Sequence, residues 1–406
     1  MNIMEVGLLK NKEKCCGCGS CILVCPVGAI TMVPMELGCL YPVIDQKKCI
    51  RCGACERVCA CTAERVAAEE SAAYVAVAKE KQWLKNSASG GVFVALAHKI
   101  IDAGGVVFGC SMELVGGLLT PMHIGICEHE ALAKLQGSKY VQSALGNTFS
   151  EIRQLLKKDQ TVLFTGTPCQ VDALKHYLSG VNTKKLYTLD LICHGVPSTE
   201  LFQAYIKSLE CKHKGPLISF RFRDKTVGKS VFDYVARYTY LDKQRTEFEQ
   251  DLPLNTSSYY SFFTGAEIQR ESCYACRYAN LERVGDITIG DFWGIEQEHP
   301  ECLRENGGIF DTTEGVSAIL INGDKGMELL NQYGDELEIK ESAPSHVTRW
   351  NRQLCNPCKH TAVREQLINA YNLYGYSGVE KIYRKQQGMR YYARLVKKYV
   401  KEILGK

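Results

Sequence analysis

The sequence predicts an α+β protein in three parts: a small cysteine-rich module (residues 1–65), an α/β domain (72–345) and a helical, basic C-terminal extension (346–406). Three observations predict it. One four-cysteine spacing occurs twice between residues 15 and 61. Short apolar strands then alternate with helical stretches, the mark of an α/β layer structure. Finally, Tyr391, Leu395, Tyr399 and Ile403 recur at four-residue intervals, as on one face of a helix.

The front module reads KCCGCGSCILVCPVGAI and then KKCIRCGACERVCACTA. Cys15, Cys18, Cys21 and Cys25, closed by Pro26, are followed by Cys49, Cys52, Cys55 and Cys59 with the same spacing. Two copies of C-x2-C-x2-C-x3-C mark a two-cluster bacterial ferredoxin, in which the fourth Cys of each run ligates the other cluster. The spacing therefore assigns Cys15, Cys18, Cys21 and Cys59 to one [4Fe–4S] centre. Cys49, Cys52, Cys55 and Cys25 form the second. Zinc has no use for a third Cys two residues on, and a disulfide framework needs an oxidising compartment. The second copy ends in Ala60 where the first has proline. Cys16, Cys39 and Cys61 are surplus and read as buried thiols.

Composition narrows the class. A chain of 406 residues, 46% hydrophobic, has room for two or three domains and a large core. A net charge of +4 does not point to nucleic acid. Cysteine is the outlier, with 21 residues in all. No signal-peptide-like start and no membrane-length apolar run are present. The expected compartment is a reducing cytoplasm in an anaerobic cell.

Behind the module, TAERVAAEES (62–71) reads as a helix or linker. Strands are expected at 74–79, 104–112 and 122–127, and helices at 92–101, 128–136 and up to about residue 158. Two strand–loop–helix units follow. In the first, a strand (161–165) runs into a helix opened by Pro168, a favoured first helical residue. In the second, a strand (185–192) leads through a CHG turn to a helix from Ser198. Residues 217–290 look strand-rich, and VSAILI (316–321) is one more strand.

The remaining chemistry lies at strand ends, where sites of α/β sheets assemble. Cys169 and Cys193 each follow a predicted strand, and SCYACRYA adds Cys273 and Cys276 beside Arg270 and Arg277. Four thiols suit a third [4Fe–4S] cluster or a zinc ion; two buried cysteines and a chance C-x2-C are the bland alternative. The loop NSASGG precedes an apolar helix whose first N–H groups could receive phosphate. Neither G-x-G-x-x-G nor a P-loop occurs.

The ordered motifs NSASGG, GSKYVQSALG, FTGTPCQVDALK, DLICHGVPS, SFRFRDK, SCYACRYA and RVGDITIGDFWGI resemble the coenzyme F(420) hydrogenase/dehydrogenase beta-subunit family. The resemblance spans roughly residues 72–325, behind the ferredoxin module. It implies an iron–sulfur flavoprotein with FAD in the α/β domain. It further implies that Cys169, Cys193, Cys273 and Cys276 hold a cluster near the flavin. Ser87, Ser89, Gly90 and Gly91, with Lys139, Tyr140, Gln142 and Ser143, look like the FAD site. Thr165, Gly166, Thr167 and Pro168 join them. Small residues admit the pyrophosphate, Lys139 balances its charge, and polar groups bond the isoalloxazine edge.

His194 is a candidate proton donor by its ordinary pKa, although a lone His is more often structural. Arg221, Arg223 and Lys225 alternate along a predicted strand, which makes an anion-binding or a solvated basic face. Asp286 and Asp291 read as structural. Cys355 and Cys358 with His360 form a C-x2-C lacking an evident fourth ligand. The last 26 residues hold nine Lys/Arg and one acid, Glu402, an ordinary packed helix in preference to a membrane-surface one. The expected function is iron–sulfur flavoprotein catalysis, with ferredoxin or F(420)H2 as donor and F(420) or another small molecule as acceptor. The alternative is an electron-transfer subunit docked to a partner oxidoreductase.

Overall fold

Apolar runs without polar alternation need cover on both faces of a sheet. The computed structural model describes residues 12–62, 72–226 and 235–389. The module carries an antiparallel pair, β1 (Ile30–Pro34) and β2 (Leu40–Ile44). Behind it come β3 (Ala72–Ala78), β4 (Val106–Val115), β5 (Leu118–Ile126), β6 (Val162–Gly166) and β7 (Leu186–Leu191). Then follow β8 (Leu217–Arg221), β9 (Val235–Leu241), β10 (Glu247–Pro253), β11 (Ile287–Asp291), β12 (Ser317–Ile321) and β13 (Leu337–Ser342). Eight of these form one mixed sheet in the order β13-β3-β12-β11-β7-β6-β4-β5. Its centre, β4, β6, β7 and β11, is parallel.

Leu163 points to a core made with helix α1 (Val92–Asp102). Its neighbours Val162 and Phe164 face α2 (Thr148–Lys157) and α3 (Pro168–Tyr177) on the other side. All three strand residues are fully buried. Period-2 geometry thus divides one apolar run between two layers.

Strands β8, β9 and β10 make a second, antiparallel sheet. It shares a core with α4 (Thr199–His213) and α5 (Ser258–Thr264). Helix α6 (Asp324–Tyr333) packs instead on the large sheet. Two later helices, α7 (Ala362–Tyr374) and α8 (Tyr376–Gln387), complete the cover of the second core. That core is aromatic: Phe202, Tyr205, Phe220, Phe222, Tyr238, Tyr259 and Tyr376 are buried together.

Most expected elements occur within a few residues of their predicted ends. Three differ. The strand-rich reading of 217–290 includes helix α5, whose N-cap Ser257 accepts from the Tyr260 N–H at 3.2 Å. β8 stops at Arg221, so Arg223 and Lys225 lie beyond the strand. The helix expected at 128–136 is a short 3-10 turn and one α-turn, ended before Gly137 at φ +76°. The amphipathic pattern at Tyr391–Ile403 and nearly all of the linker at 62–71 lie outside the described residues.

The two cysteine repeats are alike in structure. Each has a left-handed glycine, Gly19 or Gly53, followed by a one-turn helix, Ser20–Leu23 or Ala54–Arg57. Arg270, 1% exposed, seats the module on the larger domain. It donates to the Cys15 carbonyl at 2.7 Å and the Leu40 carbonyl at 2.6 Å, and lies over the Tyr41 ring.

Candidate functional site

The carboxyl ends of β6, β7 and β11 open on the same side of the sheet, at Gly166, Leu191 and Asp291. Thr167 caps α3: its N–H donates to Gln170 Oε1 at 3.1 Å, and Pro168 follows as the first helical residue. That turn sets Cys169 in the first turn of α3. Cys193 follows β7. Gly195 (φ +83°) lets the Cys193 turn approach the SCYACRYA loop, since a Cβ there would come within 3.1 Å of Cys273 Cβ.

A buried ion pair ties that loop to the sheet. Arg283 Nη2 meets Asp190 Oδ1 at 2.9 Å, with both side chains at most 1% exposed. Arg283 also donates to the Tyr278 and Leu191 carbonyls, and Asp190 accepts from the Gly285 N–H. Every charge is answered, which a buried pair requires.

Cys169, Cys193, Cys273 and Cys276 all line one cavity of about 470 Å³. The structure therefore brings together the four thiols that the motifs single out. Cys16, Cys61 and Cys358 line it too. Burial pushes the Cys193, Cys273 and Cys276 thiols up, and neighbouring thiols add to the effect. Thiols crowded where their own ionisation is opposed suit a metal centre, which supplies the missing positive charge. The donor set fits an iron–sulfur cluster.

In the module, burial raises Cys21 to about 12, with the charges of Cys18 and Cys15 adding. Cys18 is in turn among the charges that act on Cys59. These thiols are therefore near enough to act on one another's charge. Of the other set, Cys52 is exposed, and Cys25 Sγ accepts from the Ala29 N–H at 3.2 Å. Cys61 Sγ donates to Cys16 Sγ, and both line the thiol cavity with Cys169. The surplus thiols Cys16 and Cys61, 3.7 Å apart, thus bring the front module into the wall of the thiol cavity.

A second cavity, of about 510 Å³, adjoins the first. Ten expected cofactor residues line it: Ser87, Ser89, Gly91, Lys139, Tyr140, Gln142, Ser143, Thr165, Gly166 and Thr167. Gly90 and Pro168 do not. Gly90 packs behind the loop, where a Cβ would lie 2.5 Å from the Ala76 carbonyl, and Pro168 faces the thiol cavity. The Ser87 and Ser89 hydroxyls donate to the Trp83 and Val316 carbonyls, so they shape the loop. Lys139 Nζ is held by the Gln136 carbonyl at 2.8 Å, and burial lowers its pKa to about 8. A glycine-edged loop, a half-buried lysine and a cavity walled in part by Tyr140, Tyr260 and Phe263 fit a dinucleotide flavin.

His194 lines this cavity with both nitrogens engaged. Nε2 lies 3.3 Å from the Thr264 carbonyl, and Nδ1 accepts from Gln353 Nε2 at 2.9 Å. Burial lowers its pKa. Arg223 pairs with Asp291 at 2.8 Å on the cavity wall. Lys225 donates to the Ser89 and Glu314 carbonyls, which clamps the NSASGG loop. Arg221 reaches Asn86 Oδ1 at 2.7 Å. The three cations therefore brace loops and form no common face. Asp286 is structural, bonding the Thr188 N–H and hydroxyl.

His123 had no motif to mark it. It lines the flavin-sized cavity: Nε2 donates to the Thr165 carbonyl at 3.0 Å, and Nδ1 accepts from Ser143 Oγ at 2.9 Å. Gln170 Nε2 donates to the same Ser143 Oγ at 3.0 Å, joining this chain to the Thr167 cap. Two other groups of metal-ligating side chains, His98–Asp102–His129 and His299–Glu301–Cys302, line neither cavity.

Residues 159–346 match the family described as the C terminus of the coenzyme F420 hydrogenase/dehydrogenase beta subunit, and residues 8–31 and 42–59 match the 4Fe-4S binding domain. The chain thus carries the C-terminal domain of that beta-subunit family, with a 4Fe-4S ferredoxin module in front. The family match takes in the thiol cavity's Cys169, Cys193, Cys273 and Cys276. It begins downstream of NSASGG and GSKYVQSALG, two of the motifs that carry the resemblance. No curated protein matches the chain. A solved structure of the F420-reducing [NiFe] hydrogenase complex from Methanosarcina barkeri is similar to it at 15% identity. That likeness covers 80% of this chain and 95% of the other, with a TM-score of 0.43. No helix among the described residues is long and apolar enough to cross a membrane.

Proposed function

We propose that this protein is an FAD-dependent iron–sulfur oxidoreductase with three [4Fe–4S] centres. Cys15, Cys18, Cys21 and Cys59 hold the inner front centre, and Cys49, Cys52, Cys55 and Cys25 the outer one. Cys169, Cys193, Cys273 and Cys276 hold the third. When bound, such clusters exchange single electrons, and a flavin collects two for an organic acceptor. The observation that carries this reading is the shared wall of the two cavities, formed by Cys16, Thr167, Cys169, Cys193, Gly195, Val196 and Gln353.

This chain's own residues bind and orient. Gly91, Lys139 and the Thr165–Thr167 turn hold the dinucleotide. Arg270 and Gln142 lock the module against it, Gln142 donating to the Cys16 carbonyl at 2.9 Å. Exposed Ile50 and Cys52 offer the outer edge to a donor protein. His194 can pass on a proton through Nδ1 only after Gln353 releases that nitrogen and it has first taken a proton up. The acceptor is F(420) or another small molecule that enters the flavin-sized cavity.

The matched family is described as a beta subunit. That favours a second reading, in which the chain passes electrons within a larger oxidoreductase complex and has no substrate of its own. Anaerobic purification with iron, sulfide and flavin quantification tests both. About twelve irons and one FAD per chain are expected, and turnover of a small acceptor without a partner selects the first reading. A colourless preparation overturns both, and a brown one that releases no flavin on denaturation overturns the first.

A further inference from the structure

The C-x2-C at Cys355 and Cys358 lacks a partner in sequence, and the family match ends before it, at residue 346. In the fold its two thiols part company. Cys355 is exposed, whereas Cys358 lines the thiol cavity with Cys169, Cys193, Cys273 and Cys276.

The segment carrying Cys358 is strapped across that cavity from two sides. On one side Gln353 holds His194 Nδ1 at 2.9 Å, and Cys358 Sγ lies 3.4 Å from the His194 carbonyl. On the other, His360 stacks on Tyr274 with ring centroids 4.1 Å apart and meets Glu271 at 2.9 Å. Arg364, also paired with Glu271 at 3.0 Å, completes the attachment. Glu271 and Tyr274 flank Cys273, so the strap spans the Cys193 turn and the SCYACRYA loop.

A cubane cluster takes one terminal thiolate on each of four irons. Seven thiols line this cavity, of which Cys16 and Cys61 belong to the front module, so the larger domain itself brings five, one more than a cubane takes. Cys273 and Cys276 share a loop, and Cys169 sits in the first turn of α3. Cys193 and Cys358 converge at one place, beside His194: the first by chain connection, the second through the His194 carbonyl. We propose that Cys358 is a ligand of this centre, able to serve the same iron as Cys193, so that the site draws on five cysteines. The assignment rests on the reading of this cavity as a cluster site.

The test is iron and acid-labile sulfide content of the anaerobically purified full chain, with electron paramagnetic resonance of the reduced protein. Wild type and Cys273→Ala establish the centre: about twelve irons against about eight. Cys193→Ala is expected to keep about twelve, with an altered signal for the third centre. Cys193→Ala/Cys358→Ala falls to about eight, whereas Cys193→Ala/Cys355→Ala does not. Loss of the third centre from Cys193→Ala alone overturns the proposal, as does its survival in the Cys193/Cys358 double variant. Signals from the two front centres show that the variants fold, and the single Cys193→Ala variant decides even where the double does not fold. Eight irons in wild type removes the centre itself, a distinguishable failure that takes this proposal with it.

Discussion

The molecule holds thiols in two contrasting ways. In the front module, the eight thiols of the two repeats fall within residues 15–59, on two loops that repeat one local conformation around Gly19 and Gly53. At the inner cavity the larger domain's own thiols come from four separate places, brought together by strand ends, a glycine turn and a C-terminal strap. The first arrangement needs a short loop and a cluster. The second needs a finished sheet. Local wrapping thus makes a site readable and peripheral, whereas assembly from distant segments makes it buried and dependent on the fold.

The largest expected effect separates the two kinds of site directly. A ferrous chelator added to the oxidised protein should remove about four irons quickly, from the outer set that includes exposed Cys52. The irons of the inner cavity should follow only on unfolding. Loss of both at one rate would end the contrast.

Next comes the frame of the inner site. Arg283→Met leaves Asp190 charged and buried, and should cost about 3–5 kcal/mol in denaturant unfolding. Arg237→Met, at the half-exposed Arg237–Asp251 pair, should cost about 1 kcal/mol or less. Equal losses would show that the inner loop does not depend on its ion pair.

A pH effect of slightly smaller size follows from His123. Burial holds its pKa down at about 4, against 6.5 ordinarily. The unfolded chain therefore takes up the proton first as pH falls. Stability is full above pH 6.5 and declines toward pH 4, by up to about 3 kcal/mol. His123→Asn should flatten this part of the unfolding profile; an unchanged slope would place the effect elsewhere.

The smallest effect probes the joint between the regions. Ser198 caps α4 by accepting from the Leu201 N–H at 3.0 Å, and its hydroxyl donates to the Leu37 carbonyl of the front module. Ser198→Ala should cost about 1 kcal/mol and make the module easier to cleave by protease. Stability lost without any change in cleavage would confine Ser198 to its helix.

Legibility in the sequence followed the same division. The ferredoxin spacing, the capped start of α3 at Pro168 and the buried runs of β6 and β12 are local patterns, and the fold keeps them. The strand assigned to Arg221, Arg223 and Lys225 failed past Arg221 because each cation answers a different distant loop, at Asn86, Asp291 and Ser89. His123 carried no signal, since its partners Thr165 and Ser143 lie on other segments.

By itself, the sequence determined which thiols belong to the front loops, that strands and helices alternate behind them, and which glycines open turns. Those features depend on neighbours a few residues away, where bond geometry and side-chain pattern decide. Only the tertiary structure decided that Cys16 and Cys61 bring the front module into the wall of the thiol cavity, that Cys358 joins them there, and that the flavin-sized cavity shares its wall. Such placements come from long-range pairing of strands, and no short stretch of chain encodes them.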